Sequence, residues 1–127
     1  MTKILLVDDE NLILYSLAAA LRHDGSEVVT VANGTDALDE IRRSAYDICF
    51  LDVNLPDANG LELMKTVQQI SPATRIIIMT AVDLNEQQMG YLHSTACHFL
   101  PKPFNLEDVR SLVDNISSTE RAAAHEA

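Results

Sequence analysis

Three uninterrupted apolar runs, Ile4-Leu5-Leu6-Val7, Ile48-Cys49-Phe50-Leu51 and Ile76-Ile77-Ile78-Met79, constrain this chain more than any other feature. They are too short for buried helices and do not alternate apolar with polar. Both faces of such strands must be covered, which is the situation of a parallel sheet between two helical layers. Two weaker runs, Glu27-Val28-Val29-Thr30-Val31 and Cys97-His98-Phe99-Leu100, complete a set of five.

The stretches between the runs carry helical periodicity. Leu12, Leu14, Leu17, Ala18 and Leu21 read as one apolar face. A second helix is predicted from Gly34 to Arg43, with Asn33 as its N-cap and Ala37, Leu38 and Ile41 inward. Gly60 opens a third, with Leu61, Leu63, Met64, Val67 and Ile70 inward, and Ser71-Pro72 ends it. Asp83 and Glu86 have capping-box spacing for a fourth. Its inner face is thin, chiefly Met89 and Leu92, and Gly90 weakens it, so a marginal, mobile helix is expected. A fifth starts after Asn105 and uses Leu106, Val109, Leu112, Val113 and Ile116. Strand–helix alternation five times over predicts an α/β, doubly wound (βα)5 domain with right-handed crossovers. At this length the flavodoxin-like arrangement, a five-stranded parallel sheet in the order 2-1-3-4-5, suits five repeats. The domain is expected over residues 1–117, with 118–127 a polar tail that reads either as a frayed helical extension or as the start of a linker.

Composition narrows the function. The 127 residues hold 47% hydrophobic and 22% charged side chains, enough for one core. Nineteen acidic residues against nine Lys and Arg leave a formal charge of -10, which disfavours direct contact with nucleic acid or a membrane surface. The two cysteines, Cys49 and Cys97, lie in apolar stretches and read as buried thiols of a reducing, cytoplasmic compartment. No apolar run approaches the ~18 residues of a membrane span. His23, His93, His98 and His125 show no metal-ligand spacing.

Sheets of this kind bind ligands at the carboxyl ends of their strands. Here those ends carry chemistry: Asp8-Asp9-Glu10 after the first strand, Asp52 after the third, Thr80 after the fourth and Lys102 after the fifth. Crowded carboxylates call for a cation, and an all-oxygen shallow site suits Mg²⁺. Asp52, on the central strand, is the natural nucleophile toward phosphorus, with Asp8 and Asp9 on one side. Lys102 and Thr80 approach from the other, where they can neutralise and hydrogen-bond phosphoryl oxygens. The product would be an acyl phosphate on Asp52.

Val7-Asp8-Asp9-Glu10, Leu51-Asp52-Val53-Asn54-Leu55-Pro56 with Gly60, Thr80-Ala81 and Lys102-Pro103-Phe104 together resemble the receiver domain of two-component response regulators, over residues 3 to about 117. The resemblance implies that Asp52 is the phospho-acceptor and that Asp9 and Asp52 ligate Mg²⁺ directly. It further implies that Asp8 acts through a metal-bound water and that the backbone carbonyl of Asn54 completes the site. Lys102 would contact the phosphoryl group, Thr80 would be the switch hydroxyl and Phe99 the aromatic switch. A cis peptide is implied at Lys102-Pro103. Phosphorylation would draw Thr80 toward Asp52 and turn Phe99 inward, biasing a surface built from the fourth helix, fifth strand and fifth helix.

The implied function is a phosphorylation-dependent signalling switch that is not itself an enzyme with a free substrate. Its implied partners are a histidine kinase or histidine phosphotransfer domain, and a downstream protein effector or an effector domain of its own. Phosphorylation-dependent homodimerisation is compatible with it. Departures from the family pattern are Thr95, where many relatives carry glycine, Phe99 without the hydroxyl of the common tyrosine, and the apolar Val82.

Three rivals remain. A phosphatase of the haloacid-dehalogenase type needs a second aspartate where Asn54 stands. A flavodoxin-like redox carrier needs phosphate donors where Asp8, Asp9 and Glu10 stand. A degenerate receiver would act as a protein-interaction module without phosphorylation.

Overall fold

A computed structural model of the chain describes residues 1–80, 85–87, 89–90 and 98–126, from 118 onward by backbone alone. The elements run β1 (Lys3–Val7), α1 (Asn11–His23), β2 (Glu27–Val31), α2 (Gly34–Arg43), β3 (Ile48–Asp52), α3 (Gly60–Ile70), β4 (Arg75–Thr80), β5 (His98–Pro101) and α4 (Leu106–Glu126). All strand pairs are parallel, in the order β2-β1-β3-β4-β5. This is the doubly wound sheet expected from the apolar runs.

Both faces of the runs are used. Ile4 and Leu6 point into one cluster with Phe50, Ile77 and Met79, closed by Leu14, Leu17 and Leu21 of α1 and Val109, Val113 and Ile116 of α4. Leu5 and Val7 point the other way, to Cys49, Leu51 and Ile78, closed by Ala37 and Ile41 of α2 and Met64 and Val67 of α3. Each fully buried aliphatic side chain contributes roughly 1.5–3 kcal/mol through the water it excludes. An alternating strand would have left one layer without a partner. Cys49 is 0% exposed, and burial pushes its thiol up to about 12, so it is packing material and not a nucleophile.

Local signals set the helix ends. The Asn33 side chain accepts from the Asp36 N–H at 2.8 Å, capping α2 as read. Asn59 accepts from Leu61 N–H at 2.8 Å, and Asn105 from Asp108 N–H at 2.8 Å. Helix α1 ends in a left-handed Gly25 (φ 96°), with Gly25 N–H bonded to Arg22 C=O and Ser26 N–H to Leu21 C=O, each at 3.0 Å. Helix α3 ends at Ser71, before Pro72.

Three expected core positions are exposed instead. Leu12 is 82% exposed, because it stands two residues from Leu14 and so about 200° round the helix from the buried stripe. Ile70 and Leu106 are partly exposed at the last position of α3 and the first of α4, where no further turn covers them.

Of the expected helix after Asp83, residues 86–87 and 89–90 are helical, and Met89 N–H donates to Asn85 C=O at 2.9 Å. Asp83, Leu92, Val82, His93, Thr95 and Cys97 lie outside the described residues. A Cβ added at Gly90 meets nothing within 4 Å. Gly90→Ala is therefore expected to stabilise the domain by about 0.5–1 kcal/mol in urea denaturation, through helix propensity alone. A loss of stability on that substitution would contradict a helical Gly90.

Candidate functional site

The parallel sheet brings four strand ends to one edge. Asp8 follows β1, and its N–H donates to Val31 C=O at 3.2 Å, extending the β1–β2 ladder by one bond. Asp52 is the last residue of β3 and Thr80 of β4, and Lys102 follows β5. Asp8, Asp52 and Thr80 are buried, at 0%, 4% and 2% exposure. Lys102 is held at this edge by its own N–H, which donates to Thr80 C=O at 2.8 Å, and the Lys102-Pro103 peptide is cis as the resemblance implied.

The Lys102 ammonium is the hub. Nζ donates to Asp8 Oδ2 at 2.8 Å, to Glu10 Oε1 at 3.2 Å and to Asp52 Oδ2 at 3.4 Å. The remaining oxygens of the two buried carboxylates take backbone donors. Asp8 Oδ1 accepts from Glu10 N–H at 2.9 Å, and Asp52 Oδ1 from Asn54 N–H at 3.2 Å. One oxygen of Asp8, Glu10 and Asp52 each lies within 4.8 Å of the others. Three carboxylates against one ammonium leave two formal negative charges in excess. The donor set is all oxygen, so a hard divalent cation fits it in both chemistry and charge.

The titration behaviour follows from this crowding. Burial raises the Asp52 pKa, the Asn54 N–H lowers it, the Asp8 charge raises it again and Lys102 lowers it, with the net direction upward. For Lys102, burial lowers the pKa, but the Asp8 hydrogen bond and the charges of Asp8 and Asp52 outweigh it and raise it overall.

Of the expected site residues, Asp8 and Asp52 are both hydrogen-bonded to Lys102, and Thr80 lies at the same edge. Asn54 is exposed and stands in the loop after β3, two residues beyond Asp52. Asp9 is exposed and stands outside the carboxylate cluster; Glu10 takes the third place. The reason is local. The Asp8 side chain bonds the N–H two residues on, folding the backbone so that the second residue after Asp8 returns toward the site. Glu10 is also the N-cap of α1, yet makes no side-chain capping bond and reaches Lys102 instead. A third consecutive carboxylate at a helix N-cap was the signal available in the sequence.

Phe99 is half-buried on β5, opposite Ile78, against the α2–α3 side of the core. His98 is also half-buried, with its pKa lowered first by burial and then by Arg75. Among the described residues no histidine joins a metal-binding group.

The loop after β3 is folded tightly against the end of that strand. Gly60 N–H donates to Val53 C=O at 2.8 Å, and Leu55 N–H to Ala58 C=O at 3.3 Å. A groove of about 490 Å³ opens at the other end of the sheet, lined by Met1, Thr2, Asp24, Asp47 and Arg110 among others. It contains none of the strand-end groups. The acidic cluster is open at Glu10, which suits a group presented from outside.

Fold and site together define a small α/β domain of the doubly wound class that gathers carboxylates and one lysine at the carboxyl edge of its sheet. Residues 4–114 match the family model of the response regulator receiver domain, and the chain belongs to that family. It is thus the receiver module of two-component response regulators, a signalling domain. It is 36% identical to the response regulator ArlR of Staphylococcus aureus over 109 residues, covering 86% of this chain and 49% of that protein. The chain spans about half the length, or less, of the curated relatives it matches.

Among solved structures, a two-component response regulator from Clostridium difficile superposes with a TM-score of 0.86 at 28% identity, covering 93% of this chain and 97% of that one. The response regulator protein TrrA of Thermotoga maritima, solved in complex with Mg²⁺–BeF, gives 0.78 at 31% identity, covering 91% and 99%. No described helix is long and apolar enough to cross a membrane.

Proposed function

We propose that this domain accepts a phosphoryl group on Asp52 in a Mg²⁺-dependent step of a two-component phosphorelay, and that the acyl phosphate is its signalling state. The observation that carries this reading is one lysine, just after β5, bridging Asp8 and Glu10 after β1 and Asp52 at the end of β3. A merely structural ion pair would not need two fully or nearly fully buried carboxylates facing each other.

The donor is a phosphohistidine of a histidine kinase or phosphotransfer domain. An Asp52 carboxylate oxygen forms the new bond to phosphorus as the phosphorus–nitrogen bond to the donor imidazole breaks, and the departing nitrogen keeps the electron pair. Lys102 follows the transferred oxygens and balances their charge, while the Thr80 hydroxyl is the hydrogen-bond partner that moves toward the new phosphate. Asp52 and the Asn54 carbonyl would hold Mg²⁺, with Asp8 acting through a water. The resemblance gives Asp9 as a direct ligand beside Asp52, and the nearness of Glu10 to Asp8 and Asp52 supports a further carboxylate at the site. When bound, the ion supplies charge neutralisation at the phosphoryl oxygens.

Thr80 and Phe99 carry the switch in this reading, β4 and β5 pairing them with Pro101 and Ile78. Output passes to a downstream effector protein or to an effector domain of the same protein, and phosphorylation-dependent homodimerisation belongs to the same scheme. A cytoplasmic location fits the free buried thiol of Cys49. The domain turns over no free substrate as its purpose.

Intact-mass analysis after incubation with acetyl phosphate and Mg²⁺, beside Asp52→Ala, tests the reading. The expected result is one Mg²⁺-dependent phosphoryl adduct on the wild type and none on the variant. An adduct that survives Asp52→Ala would move the acceptor elsewhere. No adduct and no Mg²⁺ binding would leave a phosphorylation-independent interaction module.

A further inference from the structure

The loop leaving β3 carries a second carboxylate that the phosphoryl chemistry does not use. Asp57 reaches across to the start of α2. Its Oδ1 accepts from Gly34 N–H at 2.7 Å, and its Oδ2 accepts from Thr35 N–H at 3.0 Å and Thr35 Oγ1–H at 2.8 Å. These three bonds hold its carboxyl below the usual range. The helix already has its own cap, since Asn33 accepts from Asp36 N–H. The Asp57 bonds therefore do something a cap from within α2 cannot: they join a distant loop to the helix.

The contact is close. A Cβ on Gly34 would lie 2.8 Å from the Ala58 Cβ and 3.3 Å from Asp57 Oδ1. At its base the same loop is closed by Gly60 N–H on Val53 C=O, and by a bridge between Asn54 and Asn59. Asn54 stands at that base, and its N–H bonds Asp52 Oδ1.

We propose that Asp57 is a positioning residue, which fixes the Asn54 carbonyl at the cation site by tying residues 53–59 to the start of α2. This rests on the reading that Asn54 helps to hold Mg²⁺. That ion demands near-ideal geometry at roughly 2.0–2.1 Å, so a carbonyl on an untethered loop must be ordered each time the ion binds. The tether supplies that order beforehand.

The test is Mg²⁺ titration by calorimetry of the wild type, Asp57→Ala and Asn33→Ala, with thermal melts and amide exchange of the metal-free proteins. Asn33→Ala removes the internal cap of α2 and leaves the loop tether, lowering the Tm by about 4 °C without changing Mg²⁺ affinity. Asp57→Ala is expected to weaken Mg²⁺ binding about tenfold or more and to speed exchange at Asn54 and Gly60. Equal Tm losses in both variants with wild-type Mg²⁺ affinity in both would reduce Asp57 to a helix cap and overturn the proposal.

If Asp57→Ala does not fold, Thr35→Val removes one of the three bonds and should weaken Mg²⁺ binding to a smaller extent; unchanged affinity there overturns it equally. A wild type that binds no Mg²⁺ at all would instead overturn the proposed function, and this inference with it.

Discussion

Lys102→Met is expected to destabilise the metal-free domain by about 2–3 kcal/mol at neutral pH, and to recover much of that loss on adding Mg²⁺ or acid. The lysine is the cation shared by Asp8, Glu10 and Asp52. Without it, two buried carboxylates face each other with no compensating charge. The cost falls below the roughly 3–5 kcal/mol of a fully buried broken pair, because Glu10 is exposed and the cluster opens to water at that side.

The pH dependence has a definite sign. Lys102 has a raised folded-state pKa, so its contribution is fully present below its ordinary value of 10.5, which includes neutral pH. Asp52 also has a raised folded-state pKa, so the stability linked to its proton is present at low pH. That stability is lost as pH rises from about 4 through the folded value. Removing Lys102 deletes two influences that lower the Asp52 pKa and pushes that window further up. The deficit of the variant should therefore be largest at neutral pH and shrink as pH falls toward 4.

Mg²⁺ acts in the same direction, since it replaces the missing positive charge. The variant should gain more stability per increment of Mg²⁺ than the wild type does. Urea denaturation over a pH series, with and without Mg²⁺, checks both effects. A deficit independent of pH and Mg²⁺ would mean that Lys102 acts through packing of its stem alone.

Gly60→Ala is the second large expected effect. A Cβ there would collide with the Asp52 carbonyl oxygen and lie 2.6 Å from Val53 Cα and 2.9 Å from the Asp52 carbonyl carbon. All three atoms are backbone, so no side chain can rotate away. Either the first turn of α3 or the end of β3 must move, and the bond from Gly60 N–H to Val53 C=O stretches with it. Overpacking of this kind costs roughly 1–3 kcal/mol or more, and the rigid neighbours place this site at the upper end, a fall in Tm of about 10 °C.

Two of the three atoms belong to Asp52 itself. Phosphorylation by acetyl phosphate should therefore fall further than the loss of folded protein explains, measured at a temperature where the variant is still fully folded. A Tm within about 1 °C of the wild type would show that the close approach has room to relax. The requirement for glycine at this position comes from contact with the backbone of Asp52 and Val53, not from an unusual backbone angle.

Much of the fold was legible because its causes are local. Three apolar runs that do not alternate demand cover on both faces, and the two core clusters supply it through Leu5 and Val7 on one side and Ile4 and Leu6 on the other. Asn33 as the cap of α2 and Ser71 as the end of α3 follow from side-chain and proline chemistry within a few residues. Leu12 shows how such reading fails: its apolar character says inside, and its angle round the helix says outside. Phase wins, because the sheet covers only one side of α1.

The candidate site divides the same way. Parallel strands with chemistry-bearing residues after their carboxyl ends are enough to gather Asp8, Asp52, Thr80 and Lys102 at one edge, so these four were readable along the chain. The choice of Glu10 over Asp9 was not, because it depends on the turn that Asp8 makes with its own side chain and on a lysine ninety-two residues away. The Asp57 tether was not either, since its donors belong to a helix more than twenty residues upstream. Element order, caps and the place of Asp52 at the end of β3 were determined by residue type and local spacing. Only the tertiary structure decided which carboxylates meet and which loop is held, because side-chain direction at a turn depends on partners that sequence distance conceals.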